Sequence, residues 1–353
     1  MLKNGNEGSF DVEVPIFWKT SLSDVEYAYE HAERVTDKRV LGYSAGGRPI
    51  YMLAYGPKKA RGLANYSSAL GAHDRTCYAA SGQTPTVVII GAEHAAETEG
   101  VAAIMNLISL LESGVDLAGN TDEVLLNAVR NVRVVLLPVA NPDGRARIVP
   151  EAMVGLTGKE LRYWAQGTWS DGSLCGWPEC KRVHPVLGRT EFLGGYYNDD
   201  GINVMHDNFF HPMANETQVI LDLCEDEAAD FVLHLHGGSN SMGDLLQPYY
   251  VTREVNQSIY DLSARCLRTG EREGLEFGTP RALPEVAKGE NPPTFNLVCA
   301  AHHVCGAVSV CYESNECVID EPGKHLTHAQ IVRMHMILFA ECFAFAAEKE
   351  NKK

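Results

Sequence analysis

Short uninterrupted apolar runs recur along the chain and alternate with stretches whose apolar positions return every three to four residues. Thr86-Val87-Val88-Ile89-Ile90 reads as a buried strand, and the pattern behind it predicts a helix from about Glu97 to Leu111. Further strands are predicted at Arg48 to Tyr55, at Val132 to Val139, at Asp230 to His236 and at Ala307 to Tyr312. The second of these closes in the turn Asn141-Pro142-Asp143-Gly144, and the third breaks at Gly237-Gly238. Helical patterns cover Ser23 to Ala32, Glu216 to Glu227 and the stretch near 254 to 273, and a long terminal helix opens at Thr327. Strands that are apolar throughout are buried on both faces. Alternating with helices, they predict an α/β fold: one domain with a mixed, largely parallel twisted sheet flanked by helices. Residues 41–353 form that domain, with 1–40 a segment and helix packed on it. Two irregular stretches stand out, a Gly-, Trp-, Pro- and Tyr-rich loop between 150 and 200 and a Pro/Gly-rich loop at 278–293. A loop as long as the first, inside a compact domain, is usually functional.

Composition narrows the partners. The 353 residues carry 30 basic and 46 acidic side chains, a net charge of −16, and this argues against a phosphate backbone as ligand. The first ten residues hold no apolar h-region and no apolar run approaches membrane-spanning length, so neither a signal peptide nor a membrane partner is expected. Ten scattered cysteines then read as reduced thiols of a cytoplasmic protein. Cys175 and Cys180 lie near each other, but without a matching second pair they read as two loop thiols rather than a metal or redox site.

Chemistry concentrates at the carboxyl ends of the predicted strands, where ligands of such sheets sit. In Gly91-Ala92-Glu93-His94-Ala95-Ala96-Glu97, an imidazole and a carboxylate three residues apart at a strand-to-helix turn can close on one metal ion. His236 ends another strand and reaches over the sheet edge, whereas His234, on the same strand face, lies deeper in the apolar run and reads as a supporting or core histidine. His94, Glu97 and His236 together make a two-nitrogen, one-oxygen set for one Zn2+ with a fourth position open, the catalytic arrangement. Glu313, just after the last strand, is the candidate base for a metal-activated water, with Glu316 its rival.

These residues resemble the M14 zinc carboxypeptidases from about Leu41 to Leu338. Gly42 to Ile50 resembles the family's S-x-x-G-R-P-I strand, His94-Ala95-Ala96-Glu97 its H-x-x-E motif and Asn141 to Gly144 its N-P-D-G turn. Glu216-Thr217, Leu235 to Ser239 and Tyr312-Glu313 are similar to its later segments. The resemblance implies a zinc carboxypeptidase-like domain in which His94, Glu97 and His236 bind zinc and Glu313 activates the water. It also exposes departures. Met205 and His206 stand where the family's Asn and Arg grip a substrate carboxylate, and Ala96 where many members have Arg. Ala165 falls at the oxyanion arginine, leaving Arg145, Arg147 or Arg162 to substitute. No tyrosine lies between Tyr260 and Tyr312, where the mobile tyrosine is expected, and Phe295 is placed in that neighbourhood.

The expected function is therefore zinc-dependent hydrolysis of an amide bond in a peptide or small amide substrate, with His206 and Arg162 as the substrate-binding candidates. An amidase, deacylase or endopeptidase needing no free carboxylate, and a non-catalytic zinc-binding member, are the alternatives. A serine hydrolase, suggested by Gly42-Tyr43-Ser44-Ala45-Gly46, is set aside because a strand rather than a helix follows the serine. The sequence assigns no oligomeric state.

Overall fold

A computed structural model describes residues 14–281 and 294–350. The first half of the chain forms α1 (Leu22–His31), β1 (Asp37–Tyr43), β2 (Pro49–Tyr55), α2 (Tyr66–Gly71), β3 (Thr86–Gly91), α3 (Glu99–Ser113), α4 (Glu123–Val129), β4 (Arg133–Leu137), α5 (Pro142–Arg147) and α6 (Gly158–Gln166). There follow β5 (Thr168–Trp169), β6 (Thr190–Phe192), α7 (Asn215–Asp226), β7 (Phe231–Gly238), β8 (Asp244–Leu246), α8 (Arg253–Arg272), α9 (Leu297–Cys305), β9 (Val308–Asn315) and α10 (His328–Glu350).

Seven strands make one sheet in the order β1-β2-β4-β3-β7-β9-β8. The central four, β4-β3-β7-β9, are parallel, and the outer pairings are antiparallel. The expected mixed α/β sheet is thus present. Its apolar strands divide by alternate residues, as the two-residue period of a strand requires. Val87, Ile89, Leu233 and Val310 join one core layer with helix residues such as Leu107 and Phe339. Val88, Ile90, Val232 and Cys311 join the other with Ile220, Leu223 and Ala301. Trp18 and Val25, from the N-terminal portion, belong to the first layer, and β1 begins at Asp37, so the expected boundary at residue 41 falls inside a strand.

Several expectations are corrected. Gly237-Gly238 does not break its strand: β7 runs on through both glycines, which pair with Ser314 and Asn315, so Glu313 lies within β9 rather than beyond it. The Asn141 turn is the start of a helix, with Pro142 in its first turn and the Asn141 side chain accepting from Gly144 N–H at 2.9 Å. The 150–200 stretch is not all loop; it holds α6, capped by Thr157, and the β5–β6 pair. Part of the 278–293 loop, residues 282–293, lies outside the described residues. Helix α10 is long and apolar enough to cross a membrane, which the sequence reading did not anticipate, yet 67% of its most apolar window is buried inside the fold.

Candidate metal centre and cleft

The loop from β3 to α3 carries the first motif. Ala92 takes a left-handed conformation (φ 52°), which turns the chain sharply off the sheet edge. The turn is held from outside: Asn141 N–H donates to Ala92 O (3.0 Å) and Ala95 N–H to Gly195 O (3.0 Å). Two other quoted motifs prove to be scaffold. Asp143 accepts from the Ser44 hydroxyl (2.5 Å), Gly46 N–H (2.8 Å) and Arg48 (2.7 Å), tying the β1–β2 turn to α5. Buried Glu216 accepts from Ala45 N–H and Asn198. The hydroxyl of Ser44 is thereby committed to Asp143, and β2 follows it in place of a helix.

His94, Glu97 and His236 converge, each offering a ligand atom within 4.8 Å of the others, and all three are buried. Glu97 sits between the imidazoles, with Oε1 2.9 Å from His94 Nδ1 and Oε2 2.8 Å from His236 Nδ1. The outer ring nitrogens are also engaged: His94 Nε2 lies 3.1 Å from Asn203 Oδ1 and His236 Nε2 2.9 Å from Glu93 Oε2. A metal-ligating histidine ordinarily has its second nitrogen held in this way. His234 is not in the group. Its ring is fully buried between Glu93 Oε1 (2.6 Å) and Ser309 Oγ (3.1 Å), where it braces Glu93. The inner nitrogens and one carboxylate form a donor set that fits zinc, which takes histidine nitrogen and carboxylate oxygen.

Glu313 lines the same cleft, of about 430 Å³, as do Arg162, His206 and Glu316. Burial, partly offset by His236 and reinforced by Glu97, brings its carboxyl up to about 7. Burial also holds Glu316 well above its usual range, with Glu99 and Glu97 adding to the effect. Glu99 is enclosed beside Gly237 with both oxygens lacking a partner among the described residues, and burial lifts it to about 8.

The basic candidates separate. Arg145 is buried and bonded to Thr20 and Ile148, and Arg147 to Gly194, Tyr197 and Asp199, so both serve the scaffold. Arg162 alone of the three lines the cleft, with its guanidinium paired to Glu321 at 2.7 Å. His206 is pushed down to about 3 by burial and by neighbouring cations, first among them Lys181, so its ring is neutral near pH 7. Phe295 packs against Phe210 and His303 rather than lining the cleft; Tyr249, which precedes Tyr260 in the chain, does line it.

Four contributors were missed in the sequence. Glu93 and Asn203 hold the outer histidine nitrogens. Tyr196 stacks on His94 at 3.8 Å with the planes 3° apart, and Lys181 lines the cleft with Nζ 3.8 Å over the Trp177 ring. Glu93 lay in the quoted first motif, and its adjacency to His94 was the one available signal. Cys175 and Cys180 flank Trp177 as buried free thiols packed with Tyr197 and Val186, and burial raises both.

An α/β sheet with a His–Glu–His group and a buried carboxylate at its carboxyl edge is the frame of a metal-dependent hydrolase. The comparisons with known proteins place it more narrowly. The family model of zinc carboxypeptidase, Peptidase M14, matches residues 25–288, and the chain belongs to that zinc-dependent family. It is similar in fold to a metallo-carboxypeptidase from Burkholderia cenocepacia, with a TM-score of 0.55 and 14% identity over 92% of this chain and 67% of that one. It is similar also to bovine thrombin-activatable fibrinolysis inhibitor, with a TM-score of 0.51 and 13% identity over 96% of this chain and 99% of that one. No curated protein matches it.

Proposed function

We propose that the protein hydrolyses amide bonds in peptides with the help of one zinc ion held by His94, Glu97 and His236. The observation that carries this reading is the meeting of those three donors with Glu313 in one cleft, on neighbouring strand ends. Zinc, when bound, supplies Lewis acidity to a carbonyl oxygen and makes a water a stronger acid. The residues of the chain do the rest. Glu313 takes a proton from the attacking water at a carboxylate oxygen and returns it to the leaving nitrogen. A carboxyl drawn toward neutrality by burial is suited to both transfers. Glu93 and Asn203 fix the tautomers of His236 and His94, and Tyr196 holds the His94 ring flat. Glu316, on the same wall, is the other carboxyl able to carry a proton, but Glu313 is the one in register with His236. An amidase or endopeptidase indifferent to a free carboxylate is the second reading. It is favoured by the neutral His206 at the family's arginine position.

The test is hydrolysis of a pool of N-acylated peptides by zinc-loaded protein, followed by mass spectrometry, with Glu313→Gln as control. Glu313→Gln should lower turnover by about 10²- to 10⁴-fold while zinc content stays the same. A variant as active as the parent would end the assignment of Glu313.

A further inference from the structure

We propose that Glu99 and Glu316 hold a second cation beside the metal centre, a hard divalent ion of the Mg2+ kind. The proposal concerns metal binding alone and stands whether or not the cleft cleaves amides. Three elements meet at the place: Glu99 opens α3, Glu316 follows β9, and Gly237 lies near the end of β7. A Cβ added to Gly237 would stand 3.2 Å from Glu99 Oε2, and 3.0 and 3.3 Å from Glu316 Cγ and Cδ. The bare face of this glycine is thus a small hollow on which both carboxyls converge.

The protein does not complete this pair. Glu99 is fully buried, and both its oxygens lack a hydrogen-bond partner among the described residues. Glu316 is buried against the cleft, and the charges that bear most on it are all carboxylates: Glu99, Glu97, Glu313 and Glu321. The other buried carboxyls here are accounted for. Glu93 faces His234 and His236, and Glu97 faces His94 and His236. Buried charges are ordinarily paired or coordinate a metal, so Glu99 and Glu316 call for either protons or a cation. Donors that are carboxylate oxygens alone select a hard ion over zinc. Mg2+ commonly takes one or two carboxylates and keeps several waters, and Glu316 opens the hollow to the cleft. An ion so held ties the first turn of α3 to the ends of β7 and β9, the strands that carry His236 and Glu313. It also withdraws Glu316 from proton transfer and leaves that role to Glu313.

The test is equilibrium dialysis of the zinc-loaded full chain against MnCl2, with Mn2+ as the spectroscopically visible stand-in for Mg2+. Paramagnetic resonance counts free and bound Mn2+, and elemental analysis counts zinc in the same samples. One Mn2+ should bind per chain at about millimolar concentration or below, MgCl2 should displace it, and one zinc should remain. Glu99→Gln and Glu316→Gln should each weaken Mn2+ by at least about tenfold with zinc retained. Gly237→Ala fills the hollow without removing a charge, and it should weaken Mn2+ as well. Asp116→Asn, in an acidic surface loop, should leave the affinity unchanged. Melting curves identify any variant that fails to fold, and Glu316→Gln and Gly237→Ala decide the matter if Glu99→Gln is one. Absence of a bound Mn2+ would overturn the proposal and leave protons as what neutralises the pair. Binding that persists in Glu316→Gln and Gly237→Ala would overturn it, as would Mn2+ that enters only by expelling zinc.

Discussion

Glu93 offers the sharpest check on how the metal group is held. Its two oxygens face His234 Nδ1 at 2.6 Å and His236 Nε2 at 2.9 Å, and the carboxyl is fully buried and held below its usual range by those partners against the cost of burial. Glu93→Gln keeps an acceptor for His236 and removes the charge. The new amide N–H can face His234, whose ring can adjust because Ser309, on its other nitrogen, both donates and accepts. The loss is then the difference between a charge-assisted and a neutral hydrogen bond, about 1–1.5 kcal/mol. That converts to about a tenfold weaker zinc affinity, at the low end of what a supporting residue behind a metal ligand usually contributes. Glu93→Leu leaves the His236 N–H buried without a partner, which adds about 1–3 kcal/mol, so its affinity should fall by about a hundredfold or more. Competition against a chromophoric chelator measures both constants, and metal-free melting curves separate metal loss from misfolding. Zinc affinities within about twofold of the parent in both variants would refute the claim that Glu93 orients His236.

Three further outcomes are expected. His236→Ala should lose zinc while His234→Gln retains it; measurement of bound metal decides, and retention in His236→Ala would reassign the ligand. In the metal-free protein, burial raises Glu99 to about 8 and Glu313 to about 7, so each keeps a proton that the unfolded chain has released. The contribution of these two carboxyls to stability therefore falls as pH rises from about 4.5 through those values, by up to ~1.4 kcal/mol per pH unit for each, and Glu99→Gln should make the slope of Tm against pH less negative than the parent's. A slope of metal-free Tm against pH that is the same in Glu99→Gln as in the parent would contradict this. Ser44→Ala should cost about 1 kcal/mol of stability through its lost bond to Asp143 and leave hydrolysis intact, and a serine-reactive phosphonate should not inhibit.

The parts legible in the sequence were those written by local pattern. β3 was read to within one residue of its observed end because four apolar residues, Val87 to Ile90, end at a glycine. His94, Glu97 and His236 could be singled out because a strand end followed by a turn or helix aims side chains over a sheet edge. What stayed hidden depends on contacts across the chain. Glu93 is meaningful only once β7 brings His234 and His236 beside it. Tyr196 and Lys181 come from an irregular segment in which neither a two- nor a 3.6-residue period marks a buried face. Helices α2 and α4 are too short to show one, and α9 (LVCAAHHVC) is buried along most of its length, so its pattern has no polar face. The glycines after His236 misled in the other direction. Their turn propensity yields to the ladder with β9.

That ladder has a consequence for how the protein matures. His236 and Glu313 are direct partners in a parallel pairing, flanked by Leu235 with Tyr312 and Gly237 with Ser314. A slip of one residue would set Tyr312 or Ser314 against His236 and turn Glu313 to the opposite face of the sheet. Apolar neighbours would tolerate such an error better than the chemistry could. If the proposed hydrolysis holds, turnover per molecule would audit strand alignment, and chains trapped out of register would be silent in the assay.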